Sequence, residues 1–225
     1  MSKKLGKNNI SKPTIKELQK SRTGGQIALK GFTYQFLYSC YLILSTMDKD
    51  TFFYLEGIED IDKININNNI HIQLKYSSQK QDASFLKDIL KNYLEVYLLD
   101  KKNRNFKLVY DFSVAKGNLR KLFDSNLDTE SKNYWIKVIK QIKEENPTWN
   151  WKEFSYDNFI SKLSFEKVEK NTLSQKIEES LIKIHNITSD NISLFANAIK
   201  IFCLEKMEKR GSINKNNFDE LILKC

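Results

Sequence analysis

Residues 24–47, GGQIALKGFTYQFLYSCYLILSTM, place apolar side chains on nearly every side of a helix of about five or six turns. Such a segment cannot lie on a domain's surface, so it predicts a core helix. Its most apolar part, FLYSCYLIL at 36–44, is too short to span a bilayer, and the basic start MSKKLGKNNISKPTIK leads into no signal-peptide core. The expectation is a soluble, cytoplasmic protein with no membrane partner.

Beyond residue 50 the period changes. DTFFYLEG is rich in β-favouring aromatics, DIDKINI comes next, and after Asn67, Asn68 and Asn69 the run IHIQLKYSS alternates strictly. Two or three antiparallel strands fit. SFLKDILKNYLEVYLLDKK (84–102) has helical spacing, FKLVYDFSV (106–114) reads as a further strand, and the remainder reads as helical apart from the aromatic-rich turn PTWNWKEF. The order of elements predicts an α/β (α+β) fold, with a small mixed sheet flanked by helices and a helical C-terminal half. Residues 1–20 read as a flexible basic leader. Residues 21–225 read as one domain, with a core over about 21–116 and a helical extension over about 117–225.

In IHIQLKY, alternation sends Ile70, Ile72, Leu74 and Tyr76 to one face and His71, Gln73 and Lys75 to the other. Glu56, Asp60 and Asp62 share parity upstream. A hairpin turning at the asparagines brings Asp60 or Asp62 across the ladder towards Gln73 and Lys75. That grouping suits phosphodiester hydrolysis, which needs a hard divalent cation on oxygen ligands and a positioned water. Asp60 can supply the anionic ligand and the Gln73 amide oxygen a neutral one, while Glu56 can complete the shell or bind a second ion. Lys75 can orient the water or offset charge in the transition state. Asp62 rivals Asp60 for the ligand role, and His71, on the same face, is a candidate phosphate contact. Alternating polar residues are also the ordinary dress of a half-exposed strand.

Three ordered segments go further than any one of them: GG…KGFTYQ (Gly24, Gly25, Lys30, Gly31, Phe32, Tyr34, Gln35), LEGIEDID and IQLKYSS. Together they resemble the N-terminal DNA endonuclease domain of CD-NTase-associated (CBASS-type) anti-phage effectors. That is a restriction-endonuclease-like branch of the PD-(D/E)xK superfamily in which glutamine precedes x-Lys. The resemblance covers residues 22–78. It implies a restriction-endonuclease-like core, Asp60, Gln73 and Glu56 around Mg²⁺ or Mn²⁺, and Gln73 and Lys75 as the QxK pair. Gln35 is either a further contact near the site or a buried glutamine satisfied by backbone; Arg22 and Lys30 are candidate DNA contacts. Double-stranded DNA is the implied substrate, and a homo-oligomer or a separate sensor or ATPase the implied partner.

The rest of the sequence excludes alternatives. Of 225 residues, 37 are Lys or Arg against 28 Asp or Glu, giving a net charge of +9. That charge suits a polyanion but also follows from a lysine-, asparagine- and isoleucine-rich composition. Cys40, Cys203 and Cys225 form no CxxC pair, and two histidines are too few for a zinc protease or deaminase. GGQIALKGFT lacks the order of a phosphate-binding loop, and no GxSxG occurs. Trp149 and Trp151 read as core aromatics before base-stacking ones.

Overall fold

The computed structural model describes residues 24–46, 48–66, 68–99, 104–114 and 128–224. The leader at 1–20, Arg22 and Cys225 lie outside the described residues. The α-helices are α1 (Gly24–Thr46), α2 (Ala83–Leu99), α3 (Thr129–Glu145), α4 (Tyr156–Ile160), α5 (Leu173–His185), α6 (Ile192–Glu208) and α7 (Lys215–Lys224). The strands are β1 (Phe52–Leu55), β2 (Ile61–Ile64), β3 (Asn69–Tyr76), β4 (Arg104–Asp111), β5 (Leu163–Lys167) and β6 (Ser212–Ile213).

All six strands join one mixed sheet in the order β5-β4-β3-β2-β1-β6. The predicted meander is present: β1 pairs antiparallel with β2, and β2 with β3. β4 lies parallel to β3 and β5 parallel to β4. A parallel partner needs a crossover, and α2 supplies the one between β3 and β4. Alternation in β1 buries Phe53 and Leu55 and exposes Phe52 and Tyr54.

The sheet divides the core in two. On one face Tyr34, Tyr38 and Ile43 of α1, Ile177 and Leu181 of α5, Ile199 and Cys203 of α6 and Phe218 of α7 pack on Phe53, Leu55, Ile72 and Leu74. On the other, Leu90 and Tyr93 of α2, Trp135 and Ile139 of α3 and Phe159 of α4 pack on Phe106 and Leu108. This is an α/β fold of three layers. Cys40 and Cys203 are free and buried, as small core residues.

Two expectations are corrected. The C-terminal half is not helical apart from one turn, because it supplies both edge strands, β5 and β6. β5 is short and half-buried, and β6 has only two residues, too few to show a period. The core helix is buried only in its later turns: Gly24–Lys30 are exposed, with Ile27 and Leu29 more than three-fifths open to solvent. Trp149 and Trp151 pack on the second core as expected, half-buried at its edge and stacked on each other with ring centres 6.0 Å apart. Among the described residues no helix is long and apolar enough to cross a membrane.

Candidate active site

The two partners of β3 do not end together. β2 stays in register with β3 only as far as Ile61 opposite Ile72, whereas β4 follows β3 to Tyr76 opposite Asp111. Residues Gln73–Tyr76 are therefore laddered on one side only, and the turn 56–60 fills the notch. At its end, Asp60 replaces the missing strand: its Oδ2 accepts the Leu74 N–H at 2.6 Å, and its Oδ1 accepts Nε2–H of Gln35 at 2.8 Å. The buried N–H is thereby satisfied by a carboxylate, and α1 is tied to the site.

Asp62, two residues on, does a different job. Opposite His71 in the ladder, it takes Nδ1 of His71 at 2.7 Å and accepts the Ile58 N–H at 2.7 Å and the Glu59 N–H at 3.4 Å. His71 Nε2 meets Arg104 at 2.9 Å, and an arginine can only donate, so the imidazole is held with its proton on Nδ1. A Cβ on Gly57 would lie 2.3 Å from Asp62 Oδ2, so this close wrap requires the glycine. His71 is only 1% exposed, which removes it as a phosphate contact.

A cavity of about 380 Å³ opens at the notch. Glu56, Glu59, Asp60 and Gln73 line it together with Asn92 and Glu95 of α2 and Arg210, from beyond α6. Gln73 is 7% exposed, and its buried Oε1 has no hydrogen-bond partner. A buried carbonyl oxygen without a donor is costly, and a cation would satisfy it. Lys75 is half-buried, and its ammonium makes no hydrogen bond or ion pair with any described residue. Its charge nonetheless reaches the carboxyls of Glu59 and Asp60 and partly offsets the rise that burial gives both.

The structure thus brings Glu56, Asp60 and Gln73 into one cavity, with Lys75 beside it and Gln35 behind Asp60. Lys30 is exposed on α1 and is not in the cavity; its carbonyl accepts a bond from Lys170 Nζ at 2.8 Å. Among the described residues no three His, Cys, Asp or Glu side chains form a ready-made metal cluster. The oxygens that fit a hard cation are the spare lone pairs of Asp60 and the unpartnered Oε1 of Gln73, with Glu56 lining the same cavity.

Sequence reading missed Glu59, Asn92, Glu95 and Arg210. Glu59 was hidden because parity was carried through 56–60 as though it were strand. Glu56 has φ 55°, and a turn that begins in the left-handed region loses the alternation. Asn92 and Glu95 stand three apart in a helical pattern, on one face, which is the only signal they gave. Arg210 gave none.

The carboxyls of the cavity share a direction. Burial, reinforced by Asp60, raises Glu56; burial also raises Asp60, against the Leu74 N–H, Lys75 and Gln35. Glu59, 9% exposed, is pushed up to about 7 by burial and then by Asp60 and Asp62. Folding raises this value, so the folded chain holds the Glu59 proton more tightly than the unfolded one. The associated stability is complete below the ordinary carboxylate range and is lost as pH rises to about 7. Glu59→Gln, which cannot ionise, is therefore expected to raise the denaturant midpoint more at pH 8 than at pH 5, with chelator present throughout.

No protein-family model matches the sequence, and no curated protein matches it by sequence. Solved structures do match in fold. The Cap4 SAVED/CARF-domain containing receptor of Acinetobacter baumannii, in its complex with the cyclic trinucleotide 2'3'3'-cAAA, aligns with a TM-score of 0.58 at 14% identity, covering 85% of this chain and 44% of the receptor. The Moraxella osloensis Cap4 SAVED/CARF-domain containing receptor aligns with a TM-score of 0.56 at 15% identity, covering 87% and 47%. The chain shares its fold with part of the Cap4 receptors and spans less than half their length.

Proposed function

We propose that this protein is a divalent-metal-dependent endonuclease that hydrolyses phosphodiester bonds of double-stranded DNA with little sequence preference, in anti-phage defence. The observation that carries the reading is the unpartnered, buried Gln73 Oε1 beside the Asp60 carboxylate, with an unpaired lysine two residues further along the same strand. The fold shared with Cap4 receptors supports the defence setting, in line with the sequence resemblance.

Mg²⁺ or Mn²⁺ held by Asp60, Gln73 and Glu56 would supply Lewis acidity towards the scissile phosphate. The chain's own groups do the rest. Lys75 orients the attacking water and offsets the charge that grows on the phosphoryl oxygens. Water oxygen gives up a proton to solvent as it bonds to phosphorus, the bond to the departing sugar oxygen breaks, and that oxygen leaves with a proton from solvent. Asp60 is kept in place by Gln35 and the Leu74 N–H, so the geometry is set before substrate arrives.

One such site addresses one strand. We read double-strand cleavage as the work of two associated copies or of successive nicks, with activity governed by a sensor in a partner or in another part of a longer chain. The Cap4 receptors carry a SAVED/CARF domain, and one is seen with a cyclic trinucleotide.

Purified chain mixed with supercoiled plasmid tests the reading. Nicked and then linear DNA are expected in Mg²⁺ or Mn²⁺, none in EDTA, with cutting restored by excess Mg²⁺; cutting that survives exhaustive chelation would point to another chemistry. A second reading, a DNA-binding module without catalysis, draws on the lack of a ready-made acid cluster among the described residues. Binding without cutting in the same assay would establish it.

A further inference from the structure

We infer that Arg210 holds a phosphate of the nucleic acid in the cavity, as a substrate contact delivered from the C-terminal half of the chain. This rests on the nuclease reading and adds to it a residue some 135 positions beyond the strand that carries Gln73 and Lys75.

The first support is an unusual backbone. After α6, capped by Lys209, the chain turns through Arg210 at φ 48°. The Gly211 N–H returns to the Lys206 carbonyl at 2.7 Å and the Arg210 N–H to the Met207 carbonyl at 3.1 Å. This double closure normally has glycine, or sometimes asparagine, at the left-handed position. α5 obeys the rule with Asn186 at φ 55°. α6 instead places arginine there and the glycine one step later, where a Cβ would meet Lys206 at 3.1 Å. A side chain with no local reason to occupy a disfavoured conformation is held there for something else.

The second support is where the side chain goes. The Gly211 carbonyl accepts the Leu55 N–H at 3.2 Å, and β6 pairs with β1, Tyr54 opposite Ser212. That pairing seats the turn directly beside Glu56, and Arg210 lines the same cavity as Asp60 and Gln73. Its charge partly offsets the rise that burial and Asp60 give the Glu56 carboxyl, yet its guanidinium forms no hydrogen bond or ion pair with any described residue. The other charged groups lining the cavity are Glu56, Glu59, Asp60 and Glu95. A phosphodiester entering among four carboxyls needs positive charge from the protein as well as from a metal, and a guanidinium offers it two parallel donors.

The test separates a substrate contact from a structural arginine, because glycine is the residue the turn itself would favour. Arg210→Gly is expected to raise the melting temperature by about 2 °C. In chelator, where nothing is cut, its affinity for a fluorescent duplex is expected to fall about tenfold, with a salt dependence shallower by about one phosphate contact. Arg210→Lys should recover part of the affinity. An Arg210→Gly variant that keeps the parent's affinity and salt slope overturns the inference, whatever its melting temperature. A parent chain that cuts DNA alongside that result leaves the nuclease reading intact; a parent that neither binds nor cuts overturns both.

Discussion

Lys75→Ala is expected to lower plasmid cleavage in saturating Mg²⁺ by about 10²–10⁴-fold, because the ammonium acts on the water and on charge that develops only as the phosphoryl oxygens move through the transition state. Folding should hardly notice. The Lys75 ammonium makes no hydrogen bond or ion pair with any described residue and is half-buried at the open end of β3, so the loss of stability should stay within about 1 kcal/mol. Duplex affinity should change little, since one of many cations is removed. First-order nicking rates, read beside a denaturant melt, separate these effects. Parent-like cutting by a folded Lys75→Ala variant would remove Lys75 from the site.

Asp60→Asn and Asp62→Asn should fail in opposite ways. Asp60 carries a carboxyl that burial already penalises, so the amide relieves a cost while its oxygen still accepts the Leu74 N–H and Gln35 flips to meet its NH₂. We expect a folded protein with at least about 100-fold lower cleavage, through the lost anionic ligand. Asp62 instead accepts from two backbone N–H groups and from His71 with only 3% exposure. Its amide variant should lose about 1.5–3 kcal/mol of stability, with cleavage falling only as far as unfolding explains. Nicking rates and denaturant midpoints for both variants provide the check. A stable, inactive Asp62→Asn together with an active Asp60→Asn would move the ligand role to Asp62.

The contrast between these two aspartates shows how far a sequence could be read. Strict alternation placed Gln73 and Lys75 on one face and predicted the meander, because β3 is regular from Asn69 to Tyr76. It could not separate Asp60 from Asp62, since their difference arises where β2 stops short of β3 and a carboxylate takes over from a strand. Glu59 was lost at a left-handed Glu56, which no period-two argument anticipates. β5 and β6 were unreadable for want of length, and Arg210 belongs to the site only because β6 closes the sheet beside β1. Local periodicity is written in the chain; what the sheet's closure brings together is not.

The proposed pairing of the Asp60 and Gln73 oxygens on a metal ion is tested most directly by an Mg²⁺ titration of plasmid cleavage by the parent, Gln73→Glu and Gln73→Leu. The buried Gln73 Oε1 has no hydrogen-bond partner. An anionic oxygen in its place should bind the ion more tightly, and a methyl group not at all. The predicted result is half-maximal cleavage at lower Mg²⁺ for Gln73→Glu, and at more than about tenfold higher Mg²⁺, or never, for Gln73→Leu. Three superimposable titration curves from folded proteins would contradict it.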